Sequence, residues 1–279
     1  MNGADLHIHT TASDGTYAPK DVLRLALRMK MQLLAVADHE ETKGSRALLP
    51  LCKEAGMPAI AACELSAMRR GVYLHVLGYG VDFDEPTLSE IVRYNRFVLD
   101  RMSDELIRIL EKEDARISFS EYLAYQRDER RGGWKGIDYL FAKGALPSPK
   151  AGIPLYDAHG ITYERAGFPD FSDVARAIHA AGGRCVIAHP GTLKVPRPLD
   201  LVEELFSEGL DGAECYYPKH GAPFTEALAS LCAAHGKNIT CGSDCHGAFG
   251  DARIGETNTD ISHLNLKGIH IHGGSGHAF

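Results

Sequence analysis

The chain has 279 residues and a formal net charge of -7, long enough to bury a full core in one large α/β domain or a domain carrying an insertion. Hydrophobic residues at 44% and charged residues at 24% match the averages of soluble globular proteins, which excludes disordered and fibrous classes. The acidic balance, with a pI near 6.0, argues against a groove for duplex nucleic acid, which needs basic side chains to displace counterions; a small phosphorylated substrate remains compatible.

No apolar run approaches the roughly 18 to 20 residues that span a bilayer, and MNGADLHIHTTASDG lacks a basic stretch followed by an apolar one. A cytoplasmic location is therefore expected, with no membrane and no obligate protein partner. The seven cysteines are scattered and mostly inside apolar segments, which suits reduced core thiols better than a disulfide framework.

In chain order, ADLHIH reads as a first strand, and Pro19 opens a helix whose apolar face is Val22, Leu23, Leu25, Ala26 and Met29. LLAVADH reads as a second strand, and about Thr42 to Ala55 as a helix ended by Gly56 and Pro58. AIAACELS follows as a third strand and VYLHVLGYG as a fourth. This alternation predicts βαβ units around a parallel sheet. From about Glu85 the texture changes to a charged segment with Leu88, Ile91, Val92, Leu99, Met102 and Leu106 at helical spacing. It continues through FSEYLAYQ and WKGIDYLFAKG into a loop-rich stretch. The α/β rhythm then resumes, with Ser172 placed to cap SDVARAIHAAGG, then CVIAHP, LDLVEELFSEG, GAECYY, FTEALASLCAAHG and ITCGSDCH. The closing Gly- and His-rich stretch shows no periodicity and is expected to be mobile at its end.

Acids and histidines stand at the C-terminal ends of nearly all these strands: His7 and His9, with Asp14 in the following loop, Asp38 and His39, Glu64, His189, then Asp244 and His246, while His75 lies on strand four. Parallel strands bring such ends to one face, where barrel enzymes place their sites. One histidine at a strand end is ordinarily a hydrogen-bonded core residue; the whole set is not. The strand period of two puts His7 and His9 on one side, and Asp244 and His246 are expected to repeat that geometry. Imidazole plus carboxylate without thiolate suits manganese, zinc or iron, with Glu64 able to bridge two cations. Asp38 reads either as fixing the tautomer of an imidazole or as a turn residue. No G-x-S-x-G elbow or Walker loop is present, and the Cys241 to Cys245 pair has no matching second pair for structural zinc.

The fragments DLHIHTTASDG, AVADHE, ACELS, LHVLGYG, IAHPG and GSDCHG resemble, in identity and order, the motifs of the polymerase and histidinol phosphatase (PHP) family, over roughly residues 4 to 82 and 170 to 256. The resemblance implies an α/β fold, a distorted seven-stranded β/α barrel, with a mainly helical insertion like that of the nucleotide-hydrolysing branch. It implies two or three divalent cations: His7, His9, Glu64 and Asp244 around a first, Asp14, His39 and His246 around a second, and Glu64, His75 and His189 around a third. The corresponding division is a barrel of residues 1–83 and 168–262, an insertion or cap of 84–167, and a tail of 263–279.

The function expected is metal-dependent hydrolysis of a small phosphate ester, a nucleotide mono- or bisphosphate, by a metal-activated hydroxide. Asp14, His246 and His220 are the candidate catalytic residues, with His246 or His220 placed to protonate the leaving oxygen. Arg130, Arg131, Lys135, His220 and Arg253, with Lys219, are candidate substrate contacts; Trp134, Tyr139 and Phe141 are either core residues or stacking platforms. Where relatives often show an arginine before a histidine, this chain has Trp134, Lys135 and Gly136. The competing readings are a histidinol-phosphate-type phosphatase, a C–N hydrolase of the amidohydrolase superfamily, and a non-catalytic metal-binding domain.

Overall fold

A computed structural model of the chain describes residues 3–273. Seven strands follow one another in a single sheet: β1 (Ala4–Asp5), β2 (Leu33–Val36), β3 (Ala59–Arg69), β4 (Val72–Tyr79), β5 (Arg184–Ile187), β6 (Gly212–Tyr216) and β7 (Asn238–Cys241). Neighbours pair parallel except on both sides of β4, which is antiparallel to β3 and to β5. The parallel sheet expected from the sequence is corrected here, and the cause is local. Arg70 and Gly71 take φ of 51° and 83°, a two-residue hairpin turn that reverses the chain, whereas a parallel strand needs a crossover. Strands β2 and β7 are buried along their whole length, as strands covered on both faces must be.

Helices α1 (Pro19–Met29) and α2 (Lys43–Ala55) follow the first two strands. Pro19 starts α1, where its missing N–H costs nothing, and Gly56 ends α2 in the left-handed conformation. Between β4 and β5 lie α3 (Pro86–Leu110), α4 (Phe119–Ala124), α5 (Lys135–Ala142), α6 (Ile153–Ala158) and α7 (Phe171–Ala180), and the later crossovers are α8 (Pro198–Phe206) and α9 (Ala222–Ala234). The cap of α7 is Asp170, which accepts from the Ser172 N–H; Ser172, expected as the cap, lies in the first turn.

Helices α7 to α9 pack on the sheet through Phe171, Val174, Val202, Leu205 and Leu228. Helices α1 and α2 cover it with Val22, Ala26, Leu48 and Cys52. Helices α3 to α6 gather a separate cluster around Leu99, Leu106, Ile137, Tyr139 and Leu140, which meets the sheet through Met68 and Tyr73. Beyond β7 the chain returns beside β1: Leu6 N donates to Cys241 O, Asp244 N to His7 O and His9 N to Cys245 O. Residues 263–273 are pinned by bridges from Asn265 to Ile239 and from His272 to Ala59, with Leu266 and Ile269 buried. The mobile end expected for the tail falls on residues 274–279, outside those described. All seven cysteines are unpaired and buried, and among the described residues no helix is long and apolar enough to cross a membrane.

Candidate metal centre

The strands stop short of the site. β1 ends at Asp5, β5 at Ile187 and β7 at Cys241, so most of the expected ligands stand on the first irregular residues beyond them. His189 and Asp244 adopt left-handed backbone, with φ of 33° and 56°, a conformation that costs a non-glycine residue about 1 to 3 kcal/mol. The expectation that Asp244 and His246 repeat the extended spacing of His7 and His9 is thereby corrected. Irregular backbone aims both pairs inward.

Glu64 is the hub. Its Oε2 lies 2.9 Å from His39 Nδ1 and 3.2 Å from both His7 Nε2 and His9 Nε2. Its Oε1 lies 3.1 Å from His75 Nδ1 and 3.3 Å from His189 Nε2. Asp244 Oδ1 stands 3.2 Å from His9 Nε2, and Asp14 Oδ1 stands 3.3 Å from His246 Nε2. All nine side chains expected as ligands thus form one contiguous network.

Burial by itself would lower the imidazoles, but the carboxylates outweigh it at three of them. Glu64 and Asp14 push His39 up to about 10, Asp14 and Asp244 push His246 up to about 9, and Glu64 and Glu214 hold His7 well above its ordinary range. Burial opposes ionisation of Glu64, Asp14 and Asp244, yet the surrounding imidazoles hold all three below the usual carboxylate range. At His75 burial wins over Glu64 and brings the ring down to about 4. Protons on imidazoles therefore balance the buried carboxylates, and divalent cations would displace those protons on binding.

The donor set fits such cations. Three groups offer atoms within 4.8 Å of one another: His9, Asp14, His39 and His246; His7, His9 and Glu64; His39, Glu64 and His75. His7 Nε2 and His9 Nε2 face each other at 3.1 Å, where two N–H bonds would collide and a shared cation would not. Asp14 Oδ1 and Glu64 Oε2 are buried without a hydrogen bond, a state that costs about 1 to 3 kcal/mol unless a partner of another kind is supplied.

A second layer orients the rings. Glu214 Oε1 stands 3.0 Å from His7 Nδ1, and its Oε2 accepts from His189 N at 2.8 Å, so one carboxylate fixes a tautomer and a loop. Gly242 makes room for it, since a Cβ there would come within 2.3 Å of Glu214 Oε1. Tyr73 OH lies 2.7 Å from both Ser66 Oγ and His75 Nε2, leaving His75 Nδ1 to face Glu64. Asp38 bonds no imidazole; it accepts from Thr10 N, Thr10 Oγ1 and Ser13 Oγ at 2.7, 2.8 and 2.6 Å, holding the loop after β1. The sequence reading missed Glu214 and Tyr73. A lone carboxylate inside the apolar strand GAECYY, and a tyrosine two positions from His75, were the available signals.

Residues 5–131 match the family model described as PHP domain, and they contain six of the nine clustered side chains. Over this stretch the chain is similar to PHP domains. It is 28% identical over 261 residues to a phosphoribosyl 1,2-cyclic phosphate 1,2-diphosphodiesterase of Eggerthella lenta, covering 88% of this chain and 95% of the relative. It is 27% identical to a 3',5'-nucleoside bisphosphate phosphatase of Chromobacterium violaceum, over 94% and 92% of the two chains. Among solved structures, a protein described as a metal-dependent phosphoesterase from Bifidobacterium adolescentis superposes with a TM-score of 0.77 at 25% identity, covering 94% of each chain.

In this chain the expected substrate contacts are largely committed elsewhere. Arg130 is exposed and pairs with Asp128, Arg131 pairs with Asp138, and Lys135 Nζ donates to Leu123 O. Arg253 lines a different cavity, behind the loop after His246, and Lys219 is exposed. Both nitrogens of His220 are engaged: Nε2 accepts from Gly191 N at 3.0 Å and Nδ1 meets Cys215 O at 3.1 Å. It therefore has no free proton for a leaving oxygen and instead seats the loop that follows His189. His246 Nδ1 meets Asp244 O at 2.9 Å, which turns Nε2 toward Asp14. Tyr139 is buried with its OH on Ser118 O, and Phe141 packs in the helical cluster under Arg131. Trp134 alone of the three aromatics reaches the site, its ring 5.9 Å from that of His39. Arg127, unremarked in the sequence, straps this segment down by donating to Gly133 O at 2.7 Å and Thr11 O at 3.0 Å.

Proposed function

We propose that this chain is a metal-dependent hydrolase of small phosphate esters, acting on a nucleotide mono- or bisphosphate. The observation that carries the reading is the convergence of six imidazoles and three carboxylates on Glu64, with two buried carboxylate oxygens left for cations. Divalent cations, when bound, lower the pKa of water to near neutrality and neutralise phosphate oxygens as charge develops. His7, His9, Asp14, His39, Glu64, His75, His189, Asp244 and His246 would hold two or three of them, with manganese, zinc and iron all suited to this donor set. Water adds to phosphorus, the bond from phosphorus to the ester oxygen breaks, and the proton of water passes to the leaving alcohol.

The chain's own side chains prepare that reaction. Glu214 keeps His7 Nε2 turned inward, Tyr73 does the same for His75 Nδ1, and His220 with Glu214 fixes the left-handed turn that carries His189. We take the hydrogen bonds between the segment after β7 and the segment after β1 to close the sheet as a distorted barrel of residues 1–83 and 168–262. Residues 84–167 then act as a cap that brings Trp134 over the site. The names of the Eggerthella and Chromobacterium relatives, which act on a cyclic phosphate and on nucleoside bisphosphates, support phosphate-ester chemistry.

The test is release of phosphate from a panel of sugar phosphates, nucleoside monophosphates and nucleoside bisphosphates by manganese-loaded protein. Chelation should abolish turnover, and Glu64→Ala should lower kcat/KM about a thousandfold, the several kcal/mol expected of metal-borne charge stabilisation. Turnover of amides with no phosphate released would overturn the reading.

A further inference from the structure

A cavity of about 320 Å³ opens beside the metal cluster, and none of the roles above uses it. Two of the clustered imidazoles, His75 and His189, line it, so its contents lie within reach of the cations those rings would hold. Tyr163 lines it too. The residue is 37% exposed, and its ring stacks on Tyr73 with centroids 4.7 Å apart and planes 10° apart. Tyr73 is itself pinned between Ser66 and His75, so the Tyr163 face is a rigid platform. Val72, Leu193 and Val195 contribute apolar wall, and Lys194 stands exposed at the rim.

The volume falls at the small end of the range for small-molecule sites. A flat aromatic face backed by a second ring attracts a planar, apolar surface, while the electron-rich face of a tyrosine does not attract phosphate oxygens. Stacking on an aromatic side chain suits any nucleobase, because every base has a π-face. A platform already fixed loses little freedom when it is covered.

We propose that this cavity seats the nucleoside portion of the substrate, with the base against Tyr163 and the phosphate directed past His75 and His189 to the cluster. The assignment rests on the phosphoesterase reading for what happens to the phosphate, but not for the binding of the nucleoside.

Adenosine, which carries no phosphate, separates the two. By equilibrium dialysis it should bind the manganese-loaded full chain; Tyr163→Ala should weaken binding about tenfold, the loss expected of one base–aromatic stack. Val195→Trp, which fills the cavity, should abolish binding, whereas Tyr163→Phe should preserve it, because the stack needs the ring and not the hydroxyl. Metal content and thermal unfolding of each variant report whether the fold is kept, and loss of binding in folded Tyr163→Phe counts against the proposal even if the other two variants are unstable. In turnover, the ratio of kcat/KM for a nucleotide to that for glycerol 2-phosphate should fall about tenfold in Tyr163→Ala. Absence of adenosine binding to wild type, equal binding by wild type and folded Tyr163→Ala, loss of binding in folded Tyr163→Phe, or an unchanged selectivity ratio would each overturn the proposal. A chain that binds adenosine at Tyr163 but releases phosphate from no ester would instead overturn the phosphoesterase reading.

Discussion

The strand ends and the helical segment between β4 and α7 are built on opposite principles. Around the site, buried charges face one another: Glu64 touches five imidazoles, and the rings of His7, His75 and His246 are held from behind by Glu214, Tyr73 and the Asp244 carbonyl. In the helical segment the charges turn outward and pair locally, as Arg130 does with Asp128 and Lys143 with Glu121, while an apolar cluster of its own holds the helices together. The first region gathers buried charges that cations would balance; the second is an ordinary core that lends the site a few side chains at its rim. Trp134, Tyr163 and Arg127 are those loans, and Arg127 and Gly133 fasten them by hydrogen bonds to Thr11 and Asp14 in the loop after β1.

That contrast separates the effects of substitutions. Leu106→Ala, in the middle of the helical cluster and fully buried, should cost about 2 to 5 kcal/mol of stability through lost burial and a cavity. Metal content of the folded protein should stay at the wild-type level. Urea denaturation with metal analysis on the same samples checks both, and loss of metal at full folding would break the separation. Glu214→Gln removes a charge that touches no proposed cation yet orients His7 and His189; it should weaken metal affinity about 10- to 100-fold, read by competition with a chelator. Trp134→Ala should lower kcat/KM by about tenfold or less while leaving metal content unchanged, since a stacking or packing contact at the rim amounts to about 1 kcal/mol. Arg130→Ala, at an exposed pair with Asp128, should change stability by no more than about 0.5 kcal/mol, and activity should hold at the wild-type level. A large loss of activity there would place Arg130 at the substrate.

The candidate ligands were legible because their chemistry is rare in combination and most follow the strand rhythm: DLHIH, ADHE, IAHP and GSDCH each put a donor just beyond a strand, whereas Glu64, expected at the end of its strand, stands in the middle of β3, which runs on to Arg69 in its hairpin with β4. Glu214 was not, because a single acid in a strand reads as an anomaly until the partner 207 positions away, His7, is seen beside it. The local partners of the expected substrate contacts were hidden for a related reason. Arg130, Arg131 and Lys135 look available in a charged run, but Asp128, Asp138 and the Leu123 carbonyl, each within 12 positions along the chain, claim them first.

By itself the sequence determined which side chains could meet cations and which segments would be strands or helices, since periodicity and donor identity are properties of the chain read locally. Tertiary structure decided the reversal of β4, the left-handed turns at His189 and Asp244, the commitment of His220 to the backbone and the cavity under Tyr163. Each of these depends on contacts between residues far apart in the chain or on backbone angles at a single bend. Neither leaves a period or a motif that can be read in advance.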